Sequence, residues 1–201
     1  LREQVDDLAL ALVAPLRADD HGRRHVAQCC TGIAGRRTME RMSWRDLEAG
    51  APELARLGKE RLERVGLALL GTLRQDGSPR ISPVEPHVAG GLLLFAAMPR
   101  TAKARDLQRD ARCTLHSAVS DPDGADGELK LFGRAEVVEE AAARTAAGDA
   151  WWASRPERDA RVFSLAIEQA VFVSWDPQRG LMSLHRWSRE RGRSESERRY
   201  P

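Results

Sequence analysis

The chain has 201 residues, 42% hydrophobic and 31% charged, enough for one domain with a real core, and its net charge of +2 is too slight to mark a nucleic-acid surface. No apolar run approaches the ~20 residues of a membrane span, and residues 8–16 follow acidic side chains rather than the basic start of a signal peptide. Three cysteines, two of them adjacent, make a poor disulfide framework, so the expected compartment is cytoplasmic.

Residues 1–41 hold a weak helical patch (Val5, Leu8, Leu12, Leu16) and then a polar stretch without period. His21, His25 and Cys29 stand four apart, which on a helix would stack ligands as zinc prefers. Gly22 interrupts them and no second Cys/His cluster completes the set, so no metal is expected. Met42-Ser43-Trp44-Arg45-Asp46 reads as a more natural start, with Ser43 and Asp46 spaced as a capping box. Residues 1–41 are therefore expected to be a non-native or disordered extension.

A helix follows from Pro52, a residue favoured in a first turn, with Leu54, Leu57, Leu62 and Val65 on one stripe and Gly66 as its stop. Strands are expected over 67–73 and 80–88, joined through Asp76-Gly77, and over 92–98 after Gly90-Gly91; both dipeptides are hairpin signals. Pro83 and Pro86 remove ladder donors, so the second of these strands belongs at an edge or a bulge. A helix over 101–109, a strand over 112–119 and an acidic loop over 120–127 come next. The strand over 129–138 alternates: Leu129, Leu131, Ala135 and Val137 face one way, Lys130, Arg134 and Glu136 the other. An alanine-rich helix covers 139–152. A strand over 163–175, interrupted near Glu168-Gln169, leads through the turn 176–180 into a closing strand over 181–187. Residues 189–201 are charged and poor in apolar side chains, and are expected to be a disordered tail.

Residues 42–188 then form one domain, mainly β with a few helices. Successive short strands joined by hairpins, without a helix at each crossover, point to an antiparallel barrel rather than a parallel sheet.

Arg80 on the second strand, with Thr101 and Lys103 at the mouth of the next helix, supplies a guanidinium, a hydroxyl and an ammonium. They stand beside free N–H groups at the positive end of a helix dipole, as a phosphate clamp needs. A solvated arginine beside an ordinary N-cap would use the same residues. Ser82 shares the strand face of Arg80, being two residues on. Cys113 alternates with Leu115 and reads as a small core hydrophobe. No catalytic triad or carboxylate pair stands out, which suits an enzyme whose cofactor carries the chemistry.

In this order the elements resemble the split β-barrel flavoproteins related to pyridoxamine 5′-phosphate oxidase, including their deazaflavin-dependent relatives, over residues 66–187. The resemblance implies an FMN-binding split antiparallel β-barrel in which Arg80, Thr101 and Lys103 hold the cofactor phosphate; Ser82, from its place on the strand face of Arg80, is the candidate for a further hydroxyl contact. It also sets Trp187 beside the flavin of a neighbouring protomer, where the same residue could instead plug the barrel end. The lysine five residues after the oxidase's strand-two arginine is Glu85 here, and its tyrosine, threonine and clamp-flanking arginine are Ala96, Ala97 and Ala102. Pyridoxamine phosphate oxidation itself is therefore not expected. The implied activity is hydride transfer between FMN or coenzyme F420 and a small organic substrate, in a homodimer without nucleic-acid or membrane partners. A non-catalytic flavin, deazaflavin or tetrapyrrole binding module is the alternative. The F420 tail would need a basic groove, for which Arg100, Arg105 and Lys130 are candidates.

Overall fold

The structure, a computed structural model, describes residues 43–120, 124–153 and 160–199. The expected extension over 1–41, and with it His21, His25 and Cys29, lies outside them.

Local signals set the first helices. α1 (Trp44–Gly50) begins at Ser43, whose backbone N–H and hydroxyl donate to the Asp46 carboxylate at 2.5 and 2.8 Å. α2 (Pro52–Val65) starts on its proline and stops at Gly66, whose φ of 71° is a left-handed conformation that glycine adopts without steric cost. Its buried stripe includes Leu54, Ala55 and Leu62, as an apolar pattern would place them, but also Arg61, only 2% exposed. That guanidinium donates to the Ala118 carbonyl at 2.7 Å and the Ser120 hydroxyl at 3.1 Å, and pairs with Asp126 at 3.3 Å. Burial of the charge is tolerable because these groups replace water.

The described strands are β1 (Ala68–Leu73), β2 (Pro79–Val84), β3 (His87–Ala89), β4 (Leu92–Ala97), β5 (Arg112–Ser117), β6 (Glu128–Val138), β7 (Arg161–Asp176), β8 (Leu181–Ser188) and β9 (Gly192–Arg199). α3 (Ala102–Arg109) follows β4, and α4 (Glu140–Ala153) follows β6. Every pairing is antiparallel, in the order β2-β1-β5-β6-β7-β4-β3, with β8 on β7 and β9 on β8. One long strand makes the split: β7 pairs with β4 through Arg161–Ser164 and with β8 through Gln169–Asp176, while β6 runs along its other side. The fold is a mainly β, split antiparallel barrel.

Prolines act where they stand. β2 is an edge strand, and the chain leaves it at Glu85-Pro86 before β3 begins. The expected interruption near Glu168 is a β-bulge: Phe132 pairs with Gln169 but Gly133 with Ile167, leaving Glu168 over. The Ala166 carbonyl approaches Gly133 so closely that a Cβ has no room.

The core contains Leu70, Leu93, Phe95, Leu115, Leu129, Leu131, Phe163 and Leu165, with the rings of Phe95 and Phe163 stacked at 5.6 Å. Cys113 is buried with them, and burial pushes its thiol pKa up to about 12. Val137, expected on the core face, is 60% exposed because β6 runs past the edge of the core.

The tail expected to be disordered over 189–201 is, through Gly192–Arg199, strand β9. Its residues are nearly all exposed, and backbone pairing with β8 orders them without an apolar side chain; low hydrophobicity signals absent burial, not absent pairing. No helix among the described residues is long and apolar enough to cross a membrane.

Candidate functional site

The N-terminus of α3 organises the site. Thr101 is the N-cap: its hydroxyl donates to the Met98 carbonyl at 2.8 Å and accepts from the Ala104 N–H at 3.4 Å. Lys103 extends across to the edge strand, its ammonium donating to the Pro83 carbonyl at 2.6 Å. Partial burial pushes the Lys103 pKa down, and the nearby Glu85 carboxylate opposes that.

These two side chains stand at a cavity of about 330 Å³ between β2 and β4, strands that do not pair with each other. Its walls are apolar, built from Leu67, Val84, Ala96, Ala97 and Met98, with Glu85 beside Lys103 at the rim. The volume lies at the small end of ordinary ligand sites, and an apolar slot with a few polar groups at one end suits a flat ring carrying an anionic substituent.

Arg80 takes a different position. Its Nε donates to Asp106 Oδ2 at 2.7 Å, and it lines a second cavity of about 640 Å³ on the far side of Ala102. Asp106, 4% exposed, also accepts from the Thr72 hydroxyl at 3.1 Å and from Arg109 at 3.4 Å. Burial raises the Asp106 pKa, but the bonds from Arg80 and Thr72 and the positive charge beside it bring the carboxyl below its ordinary value. It is therefore a buried carboxylate holding two arginines in place. Ser82 is half-buried on the same inward face of β2, between Arg80 and Val84, while Ile81 on the other face is 72% exposed.

Thr101 and Lys103 thus stand at the start of α3 beside the first cavity, Arg80 lines the second, and Ser82 lines neither. Trp187 does not join them. It is 5% exposed in the core of its own chain, lines neither cavity, and lies so close to Gly50 that a side chain there would run into the indole. Of the residues considered for an anionic tail, Arg105 lines the second cavity. Lys130 instead pairs with Glu128 at 2.6 Å, in a cluster with His116 (His116 Nε2 to Glu128 3.2 Å). No cluster that could hold a metal occurs among the described residues.

Asp106 and Arg109 were not legible as site residues, although a signal existed. On α3 the positions 102, 105, 106 and 109 form one helical stripe, and that stripe faces the second cavity.

A family model described as pyridoxamine 5′-phosphate oxidase matches residues 57–174. No curated protein matches significantly. Among solved structures, the chain is similar to a pyridoxamine 5′-phosphate oxidase-related, FMN-binding protein from Nostoc punctiforme. The TM-score is 0.55 at 13% identity, covering 78% of this chain and 100% of that one. It is also similar to PhzG from Burkholderia lata in complex with tetrahydrophenazine-1-carboxylic acid, at TM-score 0.50, 12% identity and coverage of 67% and 82%. A heme-binding protein from Mycobacterium smegmatis gives TM-score 0.46 at 20% identity, covering 72% and 88%.

Proposed function

The chain belongs to the pyridoxamine 5′-phosphate oxidase family, and from that premise we propose that it is an oxidoreductase using FMN or coenzyme F420 to move hydride to or from a small organic substrate. The observation that carries this reading is the apolar slot between β2 and β4 that ends at the mouth of α3. Leu67, Val84, Ala97 and Met98 would bury a flat ring. The Lys103 ammonium and the first N–H groups of α3 would meet its phosphate, with the Thr101 hydroxyl shaping that turn rather than spending itself on the ligand. Arg80 is bound to Asp106 through Nε, which leaves its Nη groups for an anion. Bound there, a flavin or deazaflavin ring would supply the hydride chemistry; the chain's part is to bind, orient and exclude water. FMN is the ligand named for the Nostoc relative.

A second reading is a carrier that binds the same cofactor without turnover. It draws on the lining itself, in which Glu85 and Lys103 are the titratable side chains. Bound cofactor that no donor or acceptor reduces or reoxidises would favour the carrier. On either reading we propose a homodimer as the working unit.

The test is titration of FMN and of F420, separately, into wild type and Lys103→Ala. Loss of a charge-assisted contact costs on the order of 1.5–3 kcal/mol, or roughly a 10- to 150-fold weaker Kd. Equal affinities with both cofactors would sink the assigned site.

A further inference from the structure

The rim of the ring slot carries a charge of the wrong sign for a phosphate site. Of the residues that line the slot, Glu85 and Lys103 are the charged ones, and their charges are opposite. Arg80, the other cation offered to the ligand, is bonded to the Asp106 carboxylate. Two cations therefore stand against two carboxylates. What remains positive is the N-terminus of α3, equivalent to roughly half a unit charge. Donors, by contrast, are plentiful. Lys103 gives one of its three N–H groups to the Pro83 carbonyl, and the first turn of α3 adds backbone N–H groups.

The chain fixes Glu85 in this place. It follows directly on β2, and Pro86 behind it confines its backbone to extended conformations. Its side chain makes no hydrogen bond or ion pair among the described residues, so it does not hold the fold together. It does act on the clamp, because its charge holds the Lys103 pKa up against the burial that pushes it down. An exposed carboxylate beside the ammonium of an anion clamp is a repulsive element, and such elements set specificity through what they reject.

We propose that Glu85 is a specificity-determining residue of the ring site, which selects a ligand whose phosphate is a singly charged diester over one that ends in a phosphomonoester. A monoester carries roughly −1.5 to −2 at pH 7. A diester has no second proton to lose and keeps a single charge. Both present acceptor oxygens to the same donors, so the difference between them is the second charge against Glu85. The inference rests on the ring-and-phosphate reading above and names its ligand class: a flavin or deazaflavin joined through its phosphate to a further group. Of the two cofactors considered, FMN ends in a monoester and F420 carries its tail on a diester.

The experiment is titration of FMN and of its phosphate methyl ester, which differ by one charge, into wild type, Glu85→Gln and Glu85→Lys. The same pair built on the deazaflavin ring is titrated alongside. Low salt and slightly alkaline pH keep the monoester fully ionised. Glu85 is exposed, and unchanged melting temperatures verify the fold of both variants. The ratio of the two dissociation constants within each protein cancels the bulk of the methyl group. Wild type is expected to bind the methyl ester at least as tightly as the monoester. Glu85→Gln should shift the ratio about two- to fivefold toward the monoester, as for one unit charge near an exposed carboxylate, and Glu85→Lys further. Both shifts should shrink at about 0.5 M salt, because they are Coulombic. A wild-type preference for the monoester, or one ratio common to all three proteins, overturns the proposal and leaves the ring site standing. So does a shift that high salt leaves intact, since contact rather than charge would then discriminate. If neither ring binds to any of the three proteins, the ring reading falls and this inference with it.

Discussion

Asp106 is the residue on which most of the site's geometry converges, because one buried carboxylate accepts from β1, β2 and its own helix. Asp106→Asn would leave Arg80 and Arg109 without their counter-charge. Its partners are partly solvated, so the expected loss is about 1–3 kcal/mol, read as a lower denaturation midpoint, with weaker cofactor binding alongside. A variant as stable as wild type that binds normally would show that Arg80 needs no anchor. The Glu128 cluster supplies a pH test. The hydrogen bond to Glu128 raises the His116 pKa above its ordinary 6.5, and His116 in turn holds Glu128 down to about 2. The His116 contribution is full below pH 6.5 and fades as pH rises through its raised pKa. The Glu128 contribution is full above 4.5 and fades as pH falls toward about 2. His116→Asn should therefore flatten the fall in melting temperature that wild type shows just above pH 6.5; an unchanged profile would mean the pair contributes nothing. Cys113, buried with a raised pKa, should resist iodoacetamide at neutral pH in the native state and react once denaturant is added.

Among the elements, β6 and β9 mark opposite limits. The bulge that lets β7 bend depends on Gly133, where the Ala166 carbonyl fills the space of a side chain. Gly133→Val should push the two longest strands apart and lower stability by at least ~2 kcal/mol. Chemical denaturation measures this, and a neutral result would show that the ladder can re-register. β9 is the reverse case. It is ordered by backbone pairing to β8, with Arg186 donating to Ser196 at 3.2 Å, yet it covers almost no apolar surface. Deleting the chain from residue 191 onward should shift the melting temperature by only a few degrees; collapse of the fold would give β9 a structural role that its exposure does not suggest.

At the scale of the molecule, the proposed dimer has a surface to form on. Leu69 and Pro83, paired across the ladder, share the outer face of β1 and β2 with Ile81, and Leu69 and Ile81 are exposed. Sedimentation of wild type should give a dimer, and Ile81→Asp should shift it toward monomer with weaker cofactor binding. A monomer that binds cofactor tightly would contradict the assembly.

Much of this architecture was open to reading along the chain. Asp76-Gly77, Gly90-Gly91, the edge position of β2, the Ser43–Asp46 cap and the alternation of β6 as far as Ala135 are local: each follows from one residue's backbone range or from side-chain period, and each appears where expected. Thr101 and Lys103 were legible for the same reason, as a helix start advertises itself. What the chain alone could not declare was pairing at a distance. Arg61 lies on the buried stripe of α2 because Ala118 and Asp126 arrive to receive it. Trp187 is core because Gly50 leaves it room, and the charged tail is a strand because β8 presents a free edge. The arginines of the second cavity converge because α3 packs across the β1–β2 hairpin. Sequence determined most of the elements and the helix mouth, which depend on neighbours a few residues away; tertiary structure decided the last strand and which charges are paired, since an ion's partner is set by space and not by spacing.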